Sequence, residues 1–187
     1  MTRIFTTLAS MDALALAASF VLGIVSKLRD SSHHPTDSIY LIHFTLGLFT
    51  AIGTLLVHCI IFTYFLGTGR WVKEVKLAYG LPDAPLPLLT RELKRKTFPP
   101  ALIAMLITIT TAAAGLGAQL KEWPWYVHGS SALVTLVVNL WAFRLEYRNV
   151  RINADAIAEV LREVDRIRAE RGLPTNAEAL EQERGQA

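Results

Sequence analysis

The chain has 187 residues, 52% of them hydrophobic, with a mean hydropathy of +0.34 and a formal net charge of +3. Four apolar runs, at about 6–26, 39–67, 98–120 and 125–147, account for that excess, and each reaches the roughly 20 residues that span a bilayer core. This composition excludes a soluble catalytic domain as the main body of the chain, and the single Cys59 excludes an intrachain disulfide and CxxC chemistry.

The predicted first segment ends near Lys27 and is rich in small residues. Ala9, Ser10, Ala13, Ala17 and Ser19 permit close helix contact, the usual device where lipid offers no hydrophobic drive. Asp12 lies near one end of the segment, where capping or pairing with a loop Arg is the expected role. Its presence and the sparse basic charge before it argue against a cleaved signal peptide. The following loop carries His33, His34, Asp30 and Asp37. Adjacent side chains diverge and no spaced third ligand follows, so a solvated loop is the expectation rather than a metal site.

Segment two contains His43, Gly47, Thr50 and Thr54, separated by steps of 4, 3 and 4 residues. On an α-helix such steps stay on one narrow face. His58 extends the stripe about 22 Å along the axis from His43, and Cys59 beside it is expected to be inert packing.

Gly67 precedes the loop 68–97, and Gly69 stands at its start. The loop predicts a short interfacial helix over 70–79 with Trp71, Val72, Val75 and Tyr79 on one face, ended by Gly80. Pro82, Pro85 and Pro87 then predict an extended stretch, Thr90 a cap for a basic turn 91–96, and Pro99–Pro100 the start of segment three. Met105 is the one soft ligand candidate in that segment, at a depth similar to His58, with gap filling as the plainer role.

Trp123, Trp125 and Tyr126 mark a membrane interface. Segment four repeats the stripe as His128, Ala132, Thr135 and Asn139, with Ser131 and Glu146 alongside. Beyond it, residues 148–187 predict an amphipathic helix and tail. Val150, Ile157 and Val164 fall on heptad position a, and Asn153, Val160 and Ile167 on position d. Gly172 and Pro174 end the helix, and a loose tail is expected.

The stripes belong to a longer match. Gly23 to Asp30 (GIVSKLRD) precedes the first and Gly115 to Glu122 (GLGAQLKE) the second. The expected fold is therefore all-α: a polytopic membrane four-helix bundle (1–147) built from two repeated helical hairpins, 6–67 and 98–148. The expected repeat axis lies along the membrane normal. Of the 19 Lys and Arg, 16 lie in the N-terminus, the loop 68–97 and the region from Arg144 onward; Lys27, Arg29 and Lys121 occupy the other loops. The positive-inside rule then places both termini in the cytoplasm, in a cell inner membrane. The basic charge serves this anchoring and is no argument for nucleic acid.

A polar stripe in an apolar helix faces protein or a cavity, because unpaired polar groups in hydrocarbon cost several kcal/mol. Two His in one pattern converge in the outer leaflet, each with a small residue (Gly47, Ala132) one turn away and hydroxyls (Thr50, Thr135) below. That is what bis-His ligation of a b-type haem uses: two imidazoles, a packing gap, and polar groups that orient the ligands. Lys27, Arg29 and Lys121 lie on the same side to meet propionates.

The arrangement resembles four-helix membrane b-type cytochromes and the haem anchors of quinone-linked dehydrogenases. The resemblance implies haem b on His43 and His128 and electron exchange with quinone. Two other readings fit the same residues. One is a non-catalytic accessory or scaffold subunit of a larger membrane complex. The other is a homo-oligomeric ion or solute path along Thr50, Thr54, His58 and Thr135, Asn139, Glu146.

Overall fold

The computed structural model describes residues 1–29, 37–83 and 85–186; the loop histidines His33 and His34 lie outside them. Among the described residues there are five α-helices and no strand: α1 (Thr2–Leu28), α2 (Ser38–Tyr79), α3 (Leu86–Gln119), α4 (Trp125–Glu170) and α5 (Asn176–Gln186). The first four are long and apolar enough to cross a membrane. Asp37 starts α2, its carboxylate accepting from the amides of Ile39 and Tyr40 at 2.8 and 3.3 Å.

The chain divides into two compact units. The first comprises residues 1–62 and 97–148, and the second 63–96 and 149–187. Unit 1 has the burial pattern of a multi-pass membrane protein. Leu14, Phe49, Ile52, Leu56, Leu106 and Val137 are exposed on its exterior, whereas Asp12, Thr50, Thr54, His58, Thr108, Thr135, Asn139 and Glu146 are buried. Apolar groups turned outward cost nothing in lipid, and the polar groups gather where they can bond one another. Small residues let the helices close up: Ala101, Ala104 and Ala142 are fully buried. Phe62 stands edge-on to Phe98 with ring centres 4.4 Å apart. Cys59 is on the exterior rather than packed inside.

Unit 2 has its own core. Leu81, Val160 and Val164 are buried together, with Trp71, Val75, Tyr79, Leu86 and Ile167 packed against them. Asn153 donates to Tyr64 and Thr68, and Arg168 donates to the Tyr79 hydroxyl and to the Pro174 carbonyl. Val160, Val164 and Ile167 of the heptad stripe thus pack with Trp71, Val75, Tyr79, Leu81 and Leu86 of the same chain.

Several sequence boundaries shift. Residues 70–79 are not a separate interfacial helix; α2 runs through Gly67 and Gly69 to Tyr79. It stops at Gly80, whose φ of 69° few side chains tolerate. The proline-rich stretch is not extended beyond Pro85, because α3 begins at Leu86 and carries Pro87 in its first turn. Thr90 lies within α3 and donates to the Pro87 carbonyl rather than capping a new turn. Pro99 and Pro100 are inside α3, not at its start. Each removes one helix hydrogen bond, and the carbonyls freed belong to Arg95 and Lys96, which are exposed and can be hydrated. The tail is not loose throughout. Residues 176–186 form α5, and Asp165 holds its start by accepting from the backbone and side-chain amides of Asn176, both at 2.8 Å.

Candidate functional site

Unit 1 contains a cavity of about 350 Å³, within the range of small-molecule sites. All six residues expected from the sequence to form a site line it: His43, Gly47 and Thr50 from α2, and His128, Ala132 and Thr135 from α4. α1 and α3 supply the other walls. The rings of His43 and His128 face each other across it, with centres 6.2 Å apart and planes inclined by 62°.

Each imidazole is held in the same way by the other helix of its hairpin. His43 Nδ1 is 3.0 Å from the Ser19 carbonyl of α1. His128 Nδ1 is 3.1 Å from the Thr111 carbonyl of α3. A carbonyl only accepts, so Nδ1 carries the hydrogen in both rings and donates. In the neutral ring Nε2 is then left with its lone pair, the tautomer a metal ligand needs.

One turn beyond each carbonyl stands a glycine. A Cβ at Gly23 would lie 2.9 Å from His43 Cε1, and a Cβ at Gly115 would lie 2.9 Å from His128 Cε1. Real Cβ contacts are not that short, so both rings sit where only glycine permits. These glycines were visible in the sequence as matching positions, Gly23 in GIVSKLRD and Gly115 in GLGAQLKE, but not as ring contacts. Gly47 plays a different part from the gap beside His43 expected of it, since its missing Cβ makes room for the Ser19 hydroxyl at 3.3 Å.

Of the three bases expected near propionates, only Lys27 reaches the cavity wall; Arg29 and Lys121 are not part of the lining. The Lys27 ammonium lies 5.5 Å from the centre of the Trp125 ring, a cation–π distance, at the same wall. Leu48, Phe44, Ile24 and Leu116 line the cavity while also being exposed on the exterior of unit 1.

A second polar cluster is buried further along the stripes. His58 Nδ1 is 2.7 Å from Glu146 Oε1, and His58 Nε2 is 3.0 Å from Asn139 Oδ1. The Phe143 ring stacks on the imidazole, centres 5.1 Å apart. Both ring nitrogens of His58 are therefore engaged, and neither is free to bind a metal alongside Met105. Asn139 donates to Thr108 Oγ1 at 3.2 Å and to the Thr135 carbonyl at 2.8 Å. Thr135 in turn shares a 2.7 Å hydrogen bond with Thr111. Asp12 does not cap or pair with a loop Arg. It is buried 2.7 Å from the Thr54 hydroxyl, and Gly53 gives it space, since a Cβ there would lie 3.0 Å from Asp12 Oδ1.

Among the described residues, no group of three or more His, Cys, Asp or Glu is placed to hold a metal ion. Two imidazoles make a complete site only for a metal that brings its other donors with it. No protein-family model, curated protein or solved structure matches this chain.

Proposed function

We propose that the chain is a membrane b-type cytochrome, with His43 and His128 as axial ligands of one haem held in the cavity of unit 1. The observation that carries this reading is the paired imidazoles, centres 6.2 Å apart, each with Nδ1 fixed on a carbonyl. Two metal–nitrogen bonds of about 2 Å, with the offset from ring nitrogen to ring centre, separate coaxial imidazole centres by about 6 Å. A haem would bring its other donors with it, so His43 and His128 would suffice to hold its iron.

The remaining lining fits such a guest. Gly23 and Gly115 let the rings lie close to α1 and α3, Gly47 and Ala132 keep the walls thin, and Thr50 and Thr135 add hydroxyls to an otherwise apolar lining. Lys27 is the lining cation available to a propionate. Haem b supplies one-electron redox chemistry when bound. The chain's own residues hold the ligand rings, exclude water and set the local polarity.

Quinone is the redox partner in this reading. It is lipid-soluble, and a cavity wall that includes exterior Phe44, Leu48 and Leu116 brings the site within reach of a carrier in the bilayer. The two hairpins, α1–α2 and α3–α4, are read as copies of one unit. The carbonyl–histidine–glycine arrangement, Ser19–His43–Gly23 and Thr111–His128–Gly115, recurs in both. With the basic residues assigned to the cytoplasmic side, both termini are cytoplasmic and the haem lies toward the opposite face. An ion path along the inner stripes is less favoured, because Thr54, His58, Asn139 and Glu146 are packed with no exposure at all.

Titration of the purified, haem-free protein with ferric haem tests the reading. One haem per chain with a low-spin spectrum, then reduced by a quinol analogue, is expected. Saturation at zero, or binding that survives loss of both histidines, refutes it.

A further inference from the structure

We propose that Asp12, His58 and Glu146 form a buried proton-binding site. It holds two exchangeable protons among three titratable groups, is closed toward the His43–His128 cavity, and communicates outward through Glu146. The inference is independent of haem. It rests on the hydrogen-bond geometry around His58 and on the burial of all three groups.

The hydrogen bonds start at Thr108. Its hydroxyl donates to the Ala104 carbonyl at 2.8 Å, so toward Asn139 it presents only lone pairs. The Asn139 amide nitrogen donates to that hydroxyl and to the Thr135 carbonyl, two acceptors that fix which end of the amide is which. Asn139 Oδ1 therefore faces His58, and His58 Nε2 carries a hydrogen and donates to it. At the other ring nitrogen, Nδ1 and Glu146 Oε1 stand 2.7 Å apart, a distance two lone pairs do not tolerate. One proton lies between them. The pair is either imidazolium with carboxylate or imidazole with carboxylic acid, and in both forms its net charge is zero.

Thr54 has one hydroxyl hydrogen and two close oxygens, the Thr50 carbonyl at 2.9 Å and Asp12 Oδ2 at 2.7 Å. The carbonyl already accepts the helical Thr54 amide, and the hydroxyl donates to the nearer oxygen, Asp12 Oδ2. A second proton is then assigned to the Asp12 carboxyl because it is buried beside a pair that is already neutral. Asp12 reaches the cluster through Thr54, which stands one helical turn before His58 on α2. The groups facing His58 are Asp12 from α1, Glu146 and Asn139 from α4, and, through Asn139, the Thr108 hydroxyl of α3. With two protons the cluster is neutral, as burial away from water demands.

The site has a direction. Asn139 donates both amide hydrogens and accepts through its oxygen, and an amide so engaged passes no proton onward toward Thr135 and the cavity. The route left to the His58 proton is Nδ1 to Glu146. Glu146 Oε2 is buried and has no hydrogen-bond partner among the described residues. A buried carboxyl oxygen left unpaired costs free energy, and the cost is lower when the carboxyl is protonated and neutral. Glu146 stands at the end of the fourth apolar run, on the side the basic residues assign to the cytoplasm.

Infrared difference spectroscopy of the full-length protein in H₂O and D₂O tests this. Exposed carboxyls are ionised at neutral pH and give no acid carbonyl band. The wild type is expected to show one that shifts in D₂O and disappears on alkalinisation, with loss of the Asp12 component in Asp12→Asn and of the pH-dependent remainder in Glu146→Gln. If either variant does not fold, the wild-type spectrum decides. No acid carbonyl at neutral pH, a band that persists at alkaline pH, or a band unchanged in both folded variants would overturn the proposal; the second would mark a static structural pair and the third a carboxyl elsewhere in the chain.

Discussion

Gly23 stands against His43 so closely that a Cβ on the glycine would lie 2.9 Å from the ring's Cε1. The ring cannot retreat freely, because Nδ1 is fixed on the Ser19 carbonyl one turn away on the same helix. Gly23→Ala must therefore turn the imidazole or part α1 from α2. Groups that orient a metal ligand typically contribute 10–100-fold in affinity, so haem affinity is expected to fall by about that factor. Gly115→Ala should do the same through His128, whereas Gly129→Ala, where the nearest atom to a new Cβ is 3.7 Å away, should bind normally. Equal affinities in all three variants would contradict the role given to the two glycines.

The His58–Glu146 pair predicts a strong asymmetry between breaking a buried charge pair and replacing it. Both side chains are 0% exposed. Removing one partner, as in Glu146→Ala, leaves a buried polar group alone and is expected to cost about 3–5 kcal/mol. Replacing both by apolar residues, His58→Phe with Glu146→Leu, should cost much less. Thermal unfolding of the three variants in detergent, compared with the wild type, measures the difference. A double variant as unstable as the sum of its parts would show that the two groups do not act as a pair.

These two relationships were unequally legible in the sequence. The histidine stripes were legible, since steps of 4, 3 and 4 residues stay on one helical face. The inner pair was legible only in part. His58 follows Thr54 by one turn and Glu146 follows Asn139 by two, so each lay on a recognised stripe, but their separation of 88 residues hid the contact. Asp12 was misassigned because a carboxylate near a segment end ordinarily finds solvent or a base; the space beside Gly53 that admits it inward has no local signature. The helix boundaries at 67–69 and 99–100 misled for another reason. Glycine and proline lower helix propensity, but long apolar segments in a bundle retain the helix through packing.

The second unit should depend on α4 lying over residues 71–86. Val160 and Val164 are buried against Leu81, with Trp71, Val75 and Tyr79 around them. Val160→Asp places an unpaired carboxylate in that cluster and is expected to destabilise unit 2 by more than about 2 kcal/mol. Limited proteolysis within 149–186 should accelerate correspondingly. Glu159→Gln, on the exposed side where its partner is Arg162, should leave the cleavage rate within twofold. Indifference to Val160→Asp would mean that the cluster is not a packed core.

The turn between α2 and α3 predicts a pH dependence of definite sign. Asp83 accepts from Lys76 at 2.9 Å and from Arg91 at 2.7 Å, which holds its carboxyl below the usual value of 3.8. A carboxyl lowered on folding stabilises above its unfolded pKa and loses that contribution as pH falls through the folded value. Amide exchange at Leu88, which donates to the Asp83 carbonyl at 2.9 Å, should therefore be constant down to about pH 4 and lose protection below it. The residue is exposed, so added salt should weaken the effect. Protection that increases on acidification, or that Asp83→Asn does not alter, would contradict this.

The central claim, that His43 and His128 together hold one haem, is tested most directly by the reduced-minus-oxidised absorption spectrum of the purified protein prepared with haem available. The account predicts a low-spin bis-imidazole spectrum for the wild type and its loss in both His43→Ala and His128→Ala, with helical content unchanged by circular dichroism. A colourless wild-type protein, or a spectrum that survives either substitution, would contradict it.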